Sequence, residues 1–138
     1  MENQVSEELA TKEVAKWLDF KNVSERKRNK KETKAQIETI TDAICDGDLV
    51  LDEDFNLVQT LRNPVKTNDD KVLLSEMKFK PRLLLEDVES KLINVKADNM
   101  IGMLAAYTSA LTGVNAGLTK KIDTDDNKTA QAIVMFFL

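Results

Sequence analysis

The residue types that most often carry chemistry are scarce or poorly placed in this chain. There is no histidine, so the commonest general base and the commonest zinc ligand are both missing. A Ser-His-Asp or Cys-His arrangement is therefore impossible. Cys45, the single cysteine, has no sequence neighbour that would make it a catalytic thiolate. It reads instead as a small apolar residue at a helix end. The four glycines are scattered and form no phosphate-cradling loop. Carboxylates are abundant, which leaves acid–base and calcium chemistry to test. Asp123, Asp125 and Asn127 match the opening of an EF-hand loop, but Lys128 replaces its glycine and Val134 its closing glutamate. Asp52, Asp54 and Asn56 fail at the same two places, with Leu57 and Asn63. Helix capping accounts for the first cluster and a solvated turn for the second. The pattern predicts no catalytic residue, no metal site and no cofactor, and points to a binding or assembly protein rather than an enzyme.

Two surface features remain. Arg26-Lys27-Arg28 is followed by Lys30, Lys31 and Lys34, relieved only by Glu32. Read functionally, Arg26, Arg28, Lys30 and Lys31 are phosphate contacts of a nucleic-acid-binding helix. Read plainly, they are a solvated helix start. Location favours the plain reading, because cations at a helix N-terminus oppose the macrodipole. So does the absence of an interleaved aromatic. The second feature is the C-terminus, Ile133-Val134-Met135-Phe136-Phe137-Leu138, apolar throughout. A helix has one core-facing stripe, so these side chains either need neighbours on several sides or meet a partner. Val134, Phe136, Phe137 and Leu138, with the adaptable Met100 and Met103, are the candidate partner-binding residues.

Composition sets the bounds. At 138 residues and 42% apolar the chain suits one domain with a modest core. A net charge of −4 suggests neither nucleic acid nor a membrane surface as the main partner. No apolar run approaches a bilayer span. Residues 1–13 carry no apolar export segment, and one cysteine cannot form an intrachain disulfide, so a soluble protein of a reducing compartment is expected.

The elements follow from periodicity. Ser6 caps a first helix with the stripe Ala10, Val14, Trp17, Leu18, ending near Phe20. Ser24 caps a second, with Ile37, Ile40 and Ile44 on one face and a first half, 25–34, projecting into solvent. Gly47 ends it. Segments 48–51 and 55–61 flank the acidic tip Asp52-Glu53-Asp54 as a hairpin, Pro64 marks the next turn, and a third strand at 71–79 turns Leu73, Met77 and Phe79 to one face. Pro81 opens a helix with the stripe Leu84, Leu85, Val88, Leu92. Asp98 caps the next, with Ile101, Leu104, Ala105 and Thr108 inward, Leu111 closing it and Gly113 beyond. Asp123 or Asp125 caps a final helix with Ala130, Ile133, Val134 and Phe137 on one face. The expectation is an α+β fold dominated by helices: an N-terminal helical pair (the arm 1–46), then a domain 47–138 with a small antiparallel β-meander and a C-terminal helical layer.

Over residues 57–138 the chain resembles the short tail assembly chaperones of long-tailed bacteriophages. The resemblance rests on the order of Leu61-Arg62-Asn63-Pro64-Val65, Leu74-Ser75-Glu76-Met77-Lys78-Phe79-Lys80-Pro81, Ala106-Tyr107-Thr108-Ser109-Ala110-Leu111-Thr112-Gly113-Val114, and Ile122-Asp123-Thr124-Asp125-Asp126 running into a helix that ends Phe136-Phe137-Leu138. It implies a non-catalytic protein of the host bacterial cytoplasm. Such proteins hold the long tape measure protein soluble, bring tail tube protein onto it, and are absent from the mature virion. It leaves homo-oligomerisation open. A structural part of the tail or neck is the competing expectation, and a nucleic-acid-binding regulator the next.

Overall fold

A computed structural model describes residues 5–138, so the first four positions of the expected arm lie outside the described residues. Among these, seven α-helices and a three-stranded antiparallel sheet make a helix-dominated α+β fold. The first helix, α1 (Glu7–Phe20), starts where the Ser6 hydroxyl accepts from Leu9 N at 3.2 Å, with Glu7 and Glu8 in its first turn. Both devices satisfy the positive N-terminal end. Ala10, Val14, Trp17 and Leu18 are all buried, as their spacing predicts. Asn22, at φ 59°, then reverses the chain.

The second predicted helix is two. Ser24 caps a single turn, α2 (Glu25–Arg28), and α3 (Lys31–Cys45) begins after a break at Asn29 and Lys30. The half expected to project into solvent is largely exposed, with Thr33 buried and the turn tied back by Arg28, whose Nε donates to Val23 O at 2.8 Å and whose Nη2 donates to Asp19 Oδ1 at 2.7 Å. Gly47, at φ 81°, follows α3 in the left-handed region that glycine occupies without strain.

The sheet runs β1 (Leu49–Leu51), β2 (Leu57–Lys66), β3 (Val72–Phe79) in that order. Leu49 pairs with Gln59, Gln59 with Met77, and Leu57 with Phe79, which puts all five on one buried face. Pro64 does not end β2; it lies inside it. The ladder jumps from the pair Thr60–Glu76 to Val65–Leu74, so residues 61–64 oppose Ser75 alone. A bulge is one of the few places where a strand tolerates proline, which has no N–H to give. A second shift, from Val65–Leu74 to Lys66–Val72, leaves Leu73 as the extra residue. That is why Leu73 is exposed rather than sharing a face with Met77 and Phe79.

The hairpin tip is closed by Asp52, which accepts from Asp54 N (2.9 Å), Asn56 N (2.9 Å) and Asn56 Nδ2 (3.0 Å). The Asn56 side chain, followed by the two backbone donors, holds this carboxyl below the usual range against the opposing effect of burial. A depressed acid contributes stability above its unfolded pKa and loses it as pH falls through the folded one. Acidification below about pH 4 is therefore expected to loosen the tip. In Asp52→Ala the amides of Asp54 and Asn56 should exchange faster at neutral pH and lose this acid dependence, as hydrogen exchange read by NMR would register.

The C-terminal layer comprises α4 (Leu85–Leu92), α5 (Met100–Thr112), α6 (Ala116–Thr119) and α7 (Thr124–Val134), closed by a 3-10 turn over Met135–Phe137. Asn99, rather than Asp98, caps α5, accepting from Gly102 N at 2.9 Å. A Cβ on Gly102 would come within 2.6 Å of Asn99 Nδ2, so glycine makes room for its own cap. Gly113 ends α5 at φ 76° and Asp123 caps α7 through Asp125 N, as their positions predict.

Helix α3 packs on α1, β1 and α7, and α7 packs on α5 and β2. One core results: Ala10, Trp17, Ile40 and Leu49 share it with Phe79, Leu111, Ile133 and Phe136. Residues from both 5–46 and 47–138 therefore contribute to one core.

Candidate partner-binding surface

Val134 and Phe136 are fully or almost fully buried, at 0% and 7% exposure, and are removed as surface candidates. The physical reason is a change of pitch. After Val134 the chain tightens into the 3-10 turn, which swings Phe136 edge-on to Trp17, with ring centroids 5.3 Å apart. Phe137 is half-buried, 6.4 Å from the Trp17 ring. Leu138 and Met100 are exposed, and Met103 is half-buried. Of the basic group, Arg26, Lys30 and Lys31 are exposed, while Arg28 is engaged with Val23 and Asp19.

The main exposed apolar surface lies one step earlier in the chain. Leu84, Leu85, Ile93, Met100 and Ile101 are 60–83% exposed. Of the stripe expected to face inward along α4, only Val88 is buried. Ile101, expected inward on α5, faces out, while Ala105, Thr108 and Leu111 are buried as expected. Helix α4 is eight residues long, its N-cap Leu84 makes no side-chain cap bond, and its chief neighbour is α5. So short a helix cannot wrap its stripe around a core it touches on one side. The sequence signal was present in the stripe itself, but which side of it meets the core is a tertiary fact.

A hollow of about 330 Å³ runs along this surface, lined by Lys21, Arg82, Leu83, Leu84, Leu85 and Tyr107 among others. Leu85, Val88 and Tyr107 also line the adjoining groove, which continues to Leu92 and Ile93. The trough therefore has one cationic end and an apolar remainder. Lys21 Nζ sits 3.4 Å from the centre of the Phe137 ring and 5.8 Å from that of Trp17. Arg82 lies over Phe20 at 5.0 Å and donates to Phe20 O at 3.3 Å, and Phe20 in turn stacks on Phe55 at 4.3 Å. Burial, then the charges of Arg82 and Lys27, lower the Lys21 ammonium to about 8. Among the described residues no carboxylate lies within ion-pair distance of either cation.

The carboxylates have structural work. Asp126, missed in the sequence, is buried and accepts from Arg62 N at 3.0 Å and Asn63 N at 2.9 Å, the two donors that the β2 bulge frees. Gln59 Nε2 donates to Asp126 O at 2.8 Å, and the Arg62 side chain pairs with Asp48 and Asp46. Its only sequence signal was its place in the first turn of a helix, which it shares with Asp125. Among the described residues no three His, Cys, Asp or Glu side chains are grouped to hold a metal ion. Cys45 is buried, and burial, with Glu7, Asp42 and Asp46 nearby, pushes its thiol pKa up, which keeps it protonated and unreactive. No helix among the described residues is long and apolar enough to cross a membrane.

No family model, no curated protein and no solved structure matches this chain.

Proposed function

We propose that this chain is a tail assembly chaperone of a long-tailed bacteriophage. In this reading it is non-catalytic, binds the tape measure protein through the α4–α5 face, and helps bring tail tube protein onto it. The observation that carries the reading is the exposed apolar series Leu84, Leu85, Ile93, Met100 and Ile101 on two consecutive helices. Single exposed apolar side chains are ordinary. Leu84, Leu85 and Ile93 line one continuous trough, beside a separate hollow lined by Met100 and Ile101, and an apolar trough is what an amphipathic partner helix docks into. The ordered resemblance over residues 57–138 supports the same reading, and the net charge of −4 suits a protein that must keep a partner soluble. The basic turn supports nucleic-acid binding less, because Arg28 is held by Asp19 and Val23 and is not free to reach phosphate. Such a protein works in the host bacterial cytoplasm, needs no cofactor and leaves before the virion is complete.

Co-expression with the phage's tape measure protein tests this. The expected result is a soluble complex that survives moderate salt, where the tape measure protein alone precipitates. Equal precipitation with and without the chain rejects the reading. Abundant copies in purified particles by mass spectrometry would instead identify a permanent tail or neck component.

A further inference from the structure

We propose that the trough along α4 takes a partner helix whose apolar stripe is preceded by an acidic side chain, and that Lys21 and Arg82 together receive that carboxylate. The inference rests on the docking role argued above and adds the chemistry of the partner.

The geometry sets two requirements. From Leu85 to Ile93 the wall of the trough is about 12 Å long, so roughly two turns of a helix cover it, with apolar residues at i, i+3 or i+4, and i+7. The same helix cannot cover Leu84 and Leu85 without also covering Lys21, because all three line one hollow. A charge already half-buried and then closed over must be matched by an opposite one, or the complex loses more in desolvation than its apolar contacts gain. The partner therefore has to bring a carboxylate to that end.

The two cations are also held ready. Lys21 is fixed over Phe137, and Arg82 over Phe20 with a hydrogen bond to its carbonyl, so little side-chain freedom is lost when an anion arrives. The lowered ammonium pKa of Lys21 agrees with this, since it reports a cation short of counter-charge. Among the described residues only Lys21 and Arg82 lie over aromatic rings, while Lys12, Lys16, Arg28, Arg62, Lys78 and Lys128 have carboxylates of their own.

The test uses two synthetic amphipathic peptides that share a leucine stripe and differ at one position, a glutamate or a glutamine one turn before it. Binding to the full chain is measured by fluorescence anisotropy for the wild type, Lys21→Met with Arg82→Met, and Leu85→Asp. Methionine keeps an unbranched stem against the rings, and circular dichroism checks that each variant is folded. The wild type is expected to prefer the glutamate peptide by about tenfold or more, as interfacial charge pairs do. The paired methionine variant should bind both peptides alike, and Leu85→Asp should weaken both. Equal binding of the two peptides by the wild type, or a glutamate preference that survives in the methionine variant, overturns the proposal while leaving an apolar docking site sensitive to Leu85→Asp. Binding of neither peptide, or of anionic phospholipid vesicles in their place, overturns it together with the docking role.

Discussion

Asp126→Ala is expected to lower the unfolding free energy by about 3 kcal/mol, although the residue is a single buried carboxylate. Its carboxylate is the acceptor for two backbone N–H groups, those of Arg62 and Asn63, at the place where the strand ladder opens. Hydrogen bonds to a charged acceptor contribute about 1.5–3 kcal/mol each, and a part-buried donor left without one loses most of that unless water reaches it. The carboxylate also sits in the first turn of α7, where a negative charge stabilises the helix end. Urea unfolding should show the midpoint falling with the slope unchanged, and the melting temperature dropping by roughly 10 °C. Asp126→Asn should recover less than half of the loss, because a carboxamide offers one acceptor oxygen to two donors. Asp125→Ala is the control: that side chain is exposed, its partner Lys128 is 3.8 Å away, and a change below about 1 kcal/mol is expected. A loss equal to that of Asp126→Ala would mean that the helix end, rather than the bulge, is what Asp126 secures.

This clasp also joins two stretches that lie far apart in the chain. Leu61-Arg62-Asn63-Pro64 and the aspartate run before α7 are more than sixty residues apart, and the hydrogen bonds from Arg62 N and Asn63 N to Asp126 join them. Nothing local announces it. Asp123, Asp125 and Asp126 look equivalent in sequence, and only the position of the bulge selects one of them for burial. The bulge was itself illegible for the same reason: Pro64 reads as a strand end until a carboxylate from another element is seen to satisfy the neighbouring amides. Several features set by local contacts were legible, although the cap of α5 fell one residue later than expected, on Asn99, and the helix expected to open at Pro81 begins at Leu85. The Ser6 cap, the Trp17 stripe, and the left-handed Gly47 and Gly113 depend on contacts within a turn or two. The break at Lys30 depends on Arg28 reaching back to Asp19, nine residues away. The exposed face of α4 depends on which neighbours it lacks. The candidate surface was thus legible as a stock of apolar side chains, but their division between core and solvent was not.

That division decides how the docking surface should be probed. Deleting 134–138 looks like the direct way to remove an apolar C-terminus, yet it would take Val134 and Phe136 out of the core and leave Trp17 without its edge-on partner. Losing large buried side chains costs about 3–5 kcal/mol each, so a deleted chain that failed to bind would merely have failed to fold. Leu85→Asp with Ile101→Asp is the informative change. Both side chains are mostly exposed and neither belongs to the core, so stability should stay within about 1 kcal/mol of the wild type. Under the proposed docking role, binding to the tape measure protein should fall by about a hundredfold or more, since each position loses the 1.5–3 kcal/mol of a buried aliphatic side chain and each complex must now bury a carboxylate. The two positions lie on different helices, α4 and α5, and line different hollows. Single variants therefore separate two arrangements. If Leu85→Asp alone removes binding, the partner lies in the trough that ends at Lys21. If Ile101→Asp is equally damaging, the partner must cross from α4 onto α5, and the holding surface is both helices together. Undiminished binding by the double variant would remove the α4–α5 face from consideration and return Leu138 and the half-buried Met103 and Phe137 to it.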